Sequence, residues 1–191
     1  MGDGDTGDGD SGGMEPDPGP DPDAPDPRSR VTILRQESGA WTPYVFFTEQ
    51  FVRSVGISPD GQSAVLLHEA PEAGQNWSYT LVDMVADQPI KKVQNIPAEA
   101  TTVLFDENGD WAVLLVRDAA GNVMRADHIN LRTFIVQGID LASPPVGGGS
   151  VAETQKFFIS QEHPTGRISF IATDGSVETL TGFELNDAVK D

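Results

Sequence analysis

Short apolar runs punctuated by turn residues dominate the chain from Val31 onward. "VTILRQ", "YVFFTEQFV", "SAVLLHEA", "WSYTLVDMV", "TTVLF", "WAVLLV", "RTFIVQGI", "KFFIS", "RISFIAT" and "VETLTGF" are rich in β-branched and aromatic residues. Runs of this length, bounded by Gly, Pro, Asn and Asp, predict β-strands. A helical period is sustained nowhere over three turns; "IPAEATTVL" (96–104) and "ELNDAVKD" (184–191) are the only weak helical candidates.

The turns sharpen this picture. Asp174-Gly175 joins "RISFIAT" to "SVETLTGF" and predicts a two-residue hairpin loop. That loop would place Ala172 opposite Val177 and Phe170 opposite Thr179, with Ile168, Phe170, Ala172 and Val177 on one face. Asn108-Gly109 and Pro59-Asp60-Gly61 predict equivalent turns ahead of "WAVLLV" and "SAVLL".

The chain also repeats itself. Ala-Val-Leu-Leu occurs at 64–67 and again at 112–115, each time behind an acidic Gly-containing turn and ahead of a Gly-containing loop and a further strand. Ala64 and Ala112 lie 48 residues apart; a looser third copy, aligning "KFFI" with "AVLL", puts Lys156 a further 44 along. A period of 40–50 residues with about four short strands per unit predicts an all-β fold of antiparallel propeller-type blades, small or incomplete. A β-sandwich with duplicated hairpins is the alternative. The expected organisation is a tail over 1–30, a propeller-like domain over 31–186 in units near 52–99, 100–147 and 148–186, and a C-terminal tail over 187–191. An incomplete ring of blades would leave apolar faces and sheet edges free for self-association.

At "SPDG" (Ser58–Gly61), followed at once by an apolar strand, the sequence resembles the WD40-like repeats of TolB-type bacterial propellers. The resemblance spans Val52 to Asn186. It departs from the pattern in two respects: the second copy reads Asp-Glu-Asn-Gly, and no Trp-Asp dipeptide closes a unit.

Composition changes the picture mainly at the N-terminus. Of 191 residues, 30 are acidic and 12 basic, a formal charge of −18. Residues 1–30 hold eight Asp, one Glu and two Arg, and consist of Gly/Asp repetition followed by Pro/Asp repetition. A segment so poor in apolar area cannot offset its ordering entropy, so a disordered acidic linker is expected. It resembles the spacer that follows the lipid-bearing cysteine of bacterial surface lipoproteins, which implies an extracytoplasmic location in the periplasm or on the cell surface. The lipobox and its cysteine are absent from this sequence, and the opening "MGDGDTGDGDSGG" lacks the basic start and apolar stretch of a signal peptide.

Clustered Lys and Arg are missing, so nucleic acid and anionic membrane surfaces are not expected partners; the closest approach, Lys91-Lys92, reads as the solvated edge of a strand. No apolar run approaches the ~20 residues that span a bilayer. With no cysteine, disulfide and thiolate chemistry are excluded.

Candidate chemistry is sparse. Asp106, Asn108 and Asp110 have the one-three-five spacing of oxygen ligands and are the candidate calcium site, although Gly109 falls one place early for an EF-hand loop. In the tail, the frames starting at Asp3 and Asp8 fail at Gly7 and Gly12. His68, His128 and His163 read as exposed or edge side chains, with the first two in similar places of successive units. Trp41, Trp77 and Trp111 read as face packing, and "GGGS" (147–150) as a flexible link. No nucleophile elbow or zinc-binding His pair is present. These features favour a non-enzymatic binding or scaffolding module for a protein or glycan, without cofactor. A fragment of a propeller enzyme or a calcium-dependent binding protein is the alternative.

Overall fold

A computed structural model describes residues 29–182. The expected Gly/Asp/Pro linker up to Arg28 and the helical candidate at 184–191 lie outside the described residues. Within them the chain is all β. A hairpin of β1 (Ser29–Glu37) and β2 (Ala40–Thr48) precedes three four-stranded antiparallel meanders. The first sheet holds β3 (Val52–Ile57), β4 (Ser63–His68), β5 (Trp77–Asp83) and β6 (Ile90–Ile96). The second holds β7 (Glu99–Phe105), β8 (Trp111–Arg117), β9 (Met124–Asn130) and β10 (Ile135–Asp140). The third holds β11 (Pro145–Val151), β12 (Lys156–Gln161), β13 (Arg167–Ala172) and β14 (Val177–Thr181).

The sheets stack in series because their middle strands are apolar on both faces. Successive side chains alternate between faces. Val65, Leu67, Tyr79 and Leu81 therefore turn toward the second sheet, where Ala112, Leu114, Val116 and Ile129 meet them. Val113, Leu115 and Ala126 face the other way and pack on Phe157, Ile159 and Ile171 of the third sheet. Ala64, Leu66 and Val82 receive Val31, Ile33 and Phe46 of the hairpin. All six residues of β4 are buried, as are Ala112–Val116 of β8. This explains the repeated phrase: Ala-Val-Leu-Leu is the second strand of its sheet in both copies, and a strand covered on both sides needs an unbroken apolar run. At ~25 cal/mol per Å² of apolar area, each such Leu or Val contributes about 1.5–3 kcal/mol. The serial stack also rules out the two-layer sandwich.

The inner strands approach closely. A Cβ on Gly56 of β3 would lie 2.5 Å from Val103 Cγ1 and 2.9 Å from Phe105 Cε2 of β7. One interface further on, Leu104 Cδ1 would lie 2.9 Å from a Cβ on Gly148. "GGGS" is thus part of strand β11, not a flexible link, and Gly148 and Gly149 admit Phe158 backbone, Leu104 and the Phe158 ring.

Four further readings are corrected. "IPAEATTVL" runs into strand β7, where Ala100 and Val103 join the core between sheets. "YVFFTEQFV" is divided between β2 and β3. The third copy is out of phase by one residue: Phe157, not Lys156, matches Ala112, since Ala64, Ala112 and Phe157 pair with the buried Val82, Ile129 and Ile171. A slip of one exchanges the faces. Finally, the Asp174-Gly175 hairpin has a three-residue loop. Ala172 N–H donates to Ser176 O at 3.0 Å, and in this turn Gly175 alone takes a positive φ, of 83°. Val177 therefore pairs with Ile171 and Thr179 with Ser169, which moves Val177 to the face opposite Phe170.

Gly56→Val should cost about 1–3 kcal/mol in urea denaturation, because the branched side chain must displace Val103 and Phe105. Gly147→Ala, with nothing within 4 Å of the added methyl, should be near neutral.

Candidate functional site

The two copies of the acidic turn are built alike and lean on each other. Ser58 N–H donates to Ser63 O at 2.9 Å, and Asp106 N–H to Trp111 O at 3.1 Å. Inside each turn a side-chain oxygen closes the loop: Ser58 Oγ accepts Ser63 N–H, and Asp106 Oδ1 accepts Trp111 N–H, both at 2.9 Å. Asp106 is buried, and one of its carboxylate oxygens is engaged in that closure.

Asp60 and Asp110 meet on one guanidinium. Arg132 donates from Nη2 to Asp60 Oδ2 at 2.6 Å, from Nε to Asp110 Oδ1 at 2.7 Å and from Nη1 to Gln62 Oε1 at 2.9 Å. The loop holding Arg132 is fixed by Asn130, whose Oδ1 accepts the N–H of Arg132 and of Thr133. Gly109 makes room: a Cβ there would stand 2.5 Å from Asp60 Oδ1, and its φ of +76° suits glycine. Burial works against the Asp60 charge, but bonds from Ser58, Arg132 and the Gln62 N–H bring its pKa down to about 2. The same carboxylates push Arg132 above its ordinary value.

Of the candidate calcium ligands, Asp106 thus closes its turn, Asp110 pairs with Arg132, and Asn108 is exposed beside a hollow of about 130 Å³ that Glu107 and Glu153 also line. Among the described residues no group of three or more His, Asp or Glu side chains is placed to hold a metal.

The histidines depart from expectation: His68 and His128 are buried, and their places are not equivalent. His68, at the end of β4, contacts Ser78 Oγ through Nδ1 at 2.7 Å and Thr80 Oγ1 through Nε2 at 3.1 Å. Ser78 Oγ donates to Gln50 Oε1 at 2.9 Å. With that proton committed, His68 Nδ1 donates to Ser78 and Nε2 accepts from Thr80, so the pair is not a nucleophile and its base.

His128, in mid-β9, stacks on Trp111 with centroids 4.6 Å apart and planes at 5°, edge-on to Phe157. Its Nε2 is buried without a partner. Cross-strand register places it where the sister sheets carry Leu81 and Phe170. Burial lowers both His68 and His128; for His128 the Asp174 charge opposes the shift. His163 stays in a loop, where its Nδ1 accepts the Thr165 N–H at 3.3 Å. Trp77 and Trp111 pack between sheets as expected, but Trp41 is 63% exposed.

Sequence reasoning missed a buried tie between sheets. Tyr79 Oη donates to Asp127 Oδ2 at 3.1 Å, and Arg125 Nε donates to Asp127 Oδ1 at 2.6 Å. Burial, then the Asp127 charge, raises the Tyr79 pKa.

Also missed was the cleft at the hairpin end. It has a volume of about 410 Å³. One wall is five consecutive β1 residues, Val31–Arg35; the floor includes Val55, Ile57, Ala64, Leu66 and Met84. Among the described residues, β1 pairs with β2. Val55 and Ile57 are 52% and 58% exposed, whereas their counterparts 48 residues on, Val103 and Phe105, are covered by Gly56. A wider hollow of about 540 Å³ is polar, lined by Glu99, Arg117, Asp118 and Glu162 among others. The apolar cleft is the better-equipped site, since it offers apolar burial for a ligand.

No family model and no curated protein matches the chain. Solved structures do. Hydrazine synthase from Kuenenia stuttgartiensis aligns at 14% identity and a TM-score of 0.51, over 82% of this chain and 52% of that one. The dihydro-heme d1 dehydrogenase NirN in complex with DHE aligns at 13% and 0.51, over 82% and 35%. TolB from Acinetobacter baumannii aligns at 14% and 0.45, over 81% and 41%. The fold is propeller-type. At these identities the likeness extends to the fold alone, and the chain spans about half or less of the structures it matches.

Two outcomes follow. Arg132→Ala should cost about 1 kcal/mol, given the exposed side chain, and lower Tm by about 2–4 °C at pH 7. Because the Asp60 pKa is depressed in the fold, that difference should close as pH falls through about 2 in thermal melts. The lowered histidines act in the same direction. The unfolded chain takes up their protons first, so stability present above pH ~6.5 is lost as pH falls. His128→Leu, the sister-sheet residue, should reduce the loss between pH 7 and 5 in urea titrations; an unchanged slope would contradict the buried assignment.

Proposed function

We propose that the chain is a non-enzymatic binding or scaffolding module of propeller type, which docks a protein ligand at its hairpin end. The observation that carries this is the outward face of the hairpin. Leu34, Val45 and Phe47 alternate along β1 and β2 on the side away from the first sheet, and Trp41 joins them. All four are exposed, by 41–63%. Exposed apolar faces continuous with an open cleft mark interaction sites. Binding is favoured over catalysis because the buried polar groups with the most reactive chemistry, His68 with Ser78 and Tyr79 with Asp127, are committed to internal hydrogen bonds. The Ser58–Gly61 turn supports a WD40-like reading of the blades. The acidic Gly/Asp/Pro composition of residues 1–30 supports a tether and an extracytoplasmic place of action.

The test is site-specific photo-crosslinking in extracts of the source organism, with a benzophenone amino acid at Trp41 or Phe47 and, as control, at the exposed Thr133. Discrete protein adducts at the first two positions and not at the third are expected. Adducts at Thr133 alone, or a saturable glycan ligand whose binding leaves Trp41 unaffected, would overturn the reading.

A further inference from the structure

We infer that His128 makes the joint between the second and third sheets acid-sensitive: proton uptake by its ring parts the third sheet from the second, while the first and second sheets stay joined. The two joints differ in what holds them. Between the first and second sheets, Tyr79 reaches Asp127, Arg132 binds Asp60, Arg53 binds Glu99, and Lys92 Nζ donates to Phe134 O at 2.8 Å. Between the second and third, among the described residues, side-chain hydrogen bonding comes down to Arg117 Nη1 donating to Pro145 O at 3.3 Å. That joint is otherwise apolar, with Val113, Leu115 and Ala126 against Phe157, Ile159 and Ile171. His128 lies in it, 3% exposed, flat on Trp111 and edge-on to Phe157. Its buried Nε2 has no hydrogen-bond partner among the described residues.

A ring in that setting suits only the neutral form. An imidazolium needs partners for both of its N–H groups, and burying it without them is costly. The groups around it supply little. Trp111 of β8, Phe157 of β12 and Gln137, its cross-strand partner on β10, carry no charge. On β9 itself, Asp127 is turned to Tyr79 of the first sheet and held there by Arg125. Lys156, next to Phe157, pairs with Glu178. Asp174, in the turn between β13 and β14, is the charge that acts on the ring, and it opposes the effect of burial without cancelling it. Water has a way in, because a hollow of about 150 Å³ beside the ring is lined by Asn130, Gln137, Thr173 and Asp174. The tip of the β13–β14 hairpin sits against it: a Cβ on Gly175 would stand 2.3 Å from Gln137 Oε1. Solvating a charged ring therefore lifts this tip and the sheet behind it. Parting uncovers Val113 and Leu115 with Phe157 and Ile159, an apolar surface closed at neutral pH. The ring's pKa is lowered in the closed joint and ordinary, ~6.5, in the open one, so opening gains as pH falls below ~6.5.

The closing experiment is amide hydrogen exchange of the full chain at pH 7 and pH 5, corrected for the intrinsic rates. Amides of β12 and β13 should open roughly five- to 25-fold more often at pH 5, the upper figure being what one proton with an ordinary pKa of ~6.5 allows. At pH 5 they should also open more often than those of β4 and β5, because the third sheet parts before the chain unfolds. His128→Leu and His128→Phe introduce the residues found at this register position in the sister sheets. Each should abolish the change in β12 and β13. His163→Gln, in a loop, should leave it intact. A change under fivefold, equal opening of β4 and β12 at pH 5, or a change that survives both His128 variants would overturn the inference.

Discussion

The structure depends on burying both faces of each middle strand. A single four-stranded sheet with Val65 on one side and Leu66 on the other cannot satisfy both with water. It requires a neighbour in front and another behind, and the three sheets with the hairpin meet that demand in order along the chain. Polar contacts then fix the alignment. Tyr79 reaches across to Asp127 inside the stack, while Arg132 gathers Asp60 and Asp110 at its rim. Each tie joins the first sheet to the second, the two that carry the Ala-Val-Leu-Leu phrase.

Among the described residues the stack runs from the hairpin to the third sheet. At the hairpin end, among the described residues, two strands lie over β4 and β5, and Val55 and Ile57 of β3 are exposed. The other end presents the outer face of the third sheet, where Leu180 is 57% exposed. His68, Ser78, Tyr79 and Asp127 are engaged in internal hydrogen bonds, while the hairpin end presents exposed apolar surface.

Much of the architecture was legible in the sequence. Ala-Val-Leu-Leu behind an acidic turn identified the same strand twice, since a run apolar at every position is the mark of burial on both faces. The limits of that legibility have physical causes. In the third copy Phe157 takes the place of Ala112 without an equivalent turn ahead of it, and period-two alternation gives no warning of a one-residue slip. Gly147–Gly149 looks like a linker because glycine has low strand propensity, yet at Gly148 Leu104 of the second sheet and Phe158 O leave no room for a Cβ. Pairing Asp110 with Asp60 through a residue 22 positions further on left no local signal. His128 shares the register position of Leu81 and Phe170 only through cross-strand pairing, so its burial could not be read from its neighbours in the chain.

Amide hydrogen exchange of the free, full chain tests the serial stack most directly. Amides of β4, β5, β8 and β9 should exchange slowest, by global unfolding. Fast exchange in β4 or β8 would contradict the account.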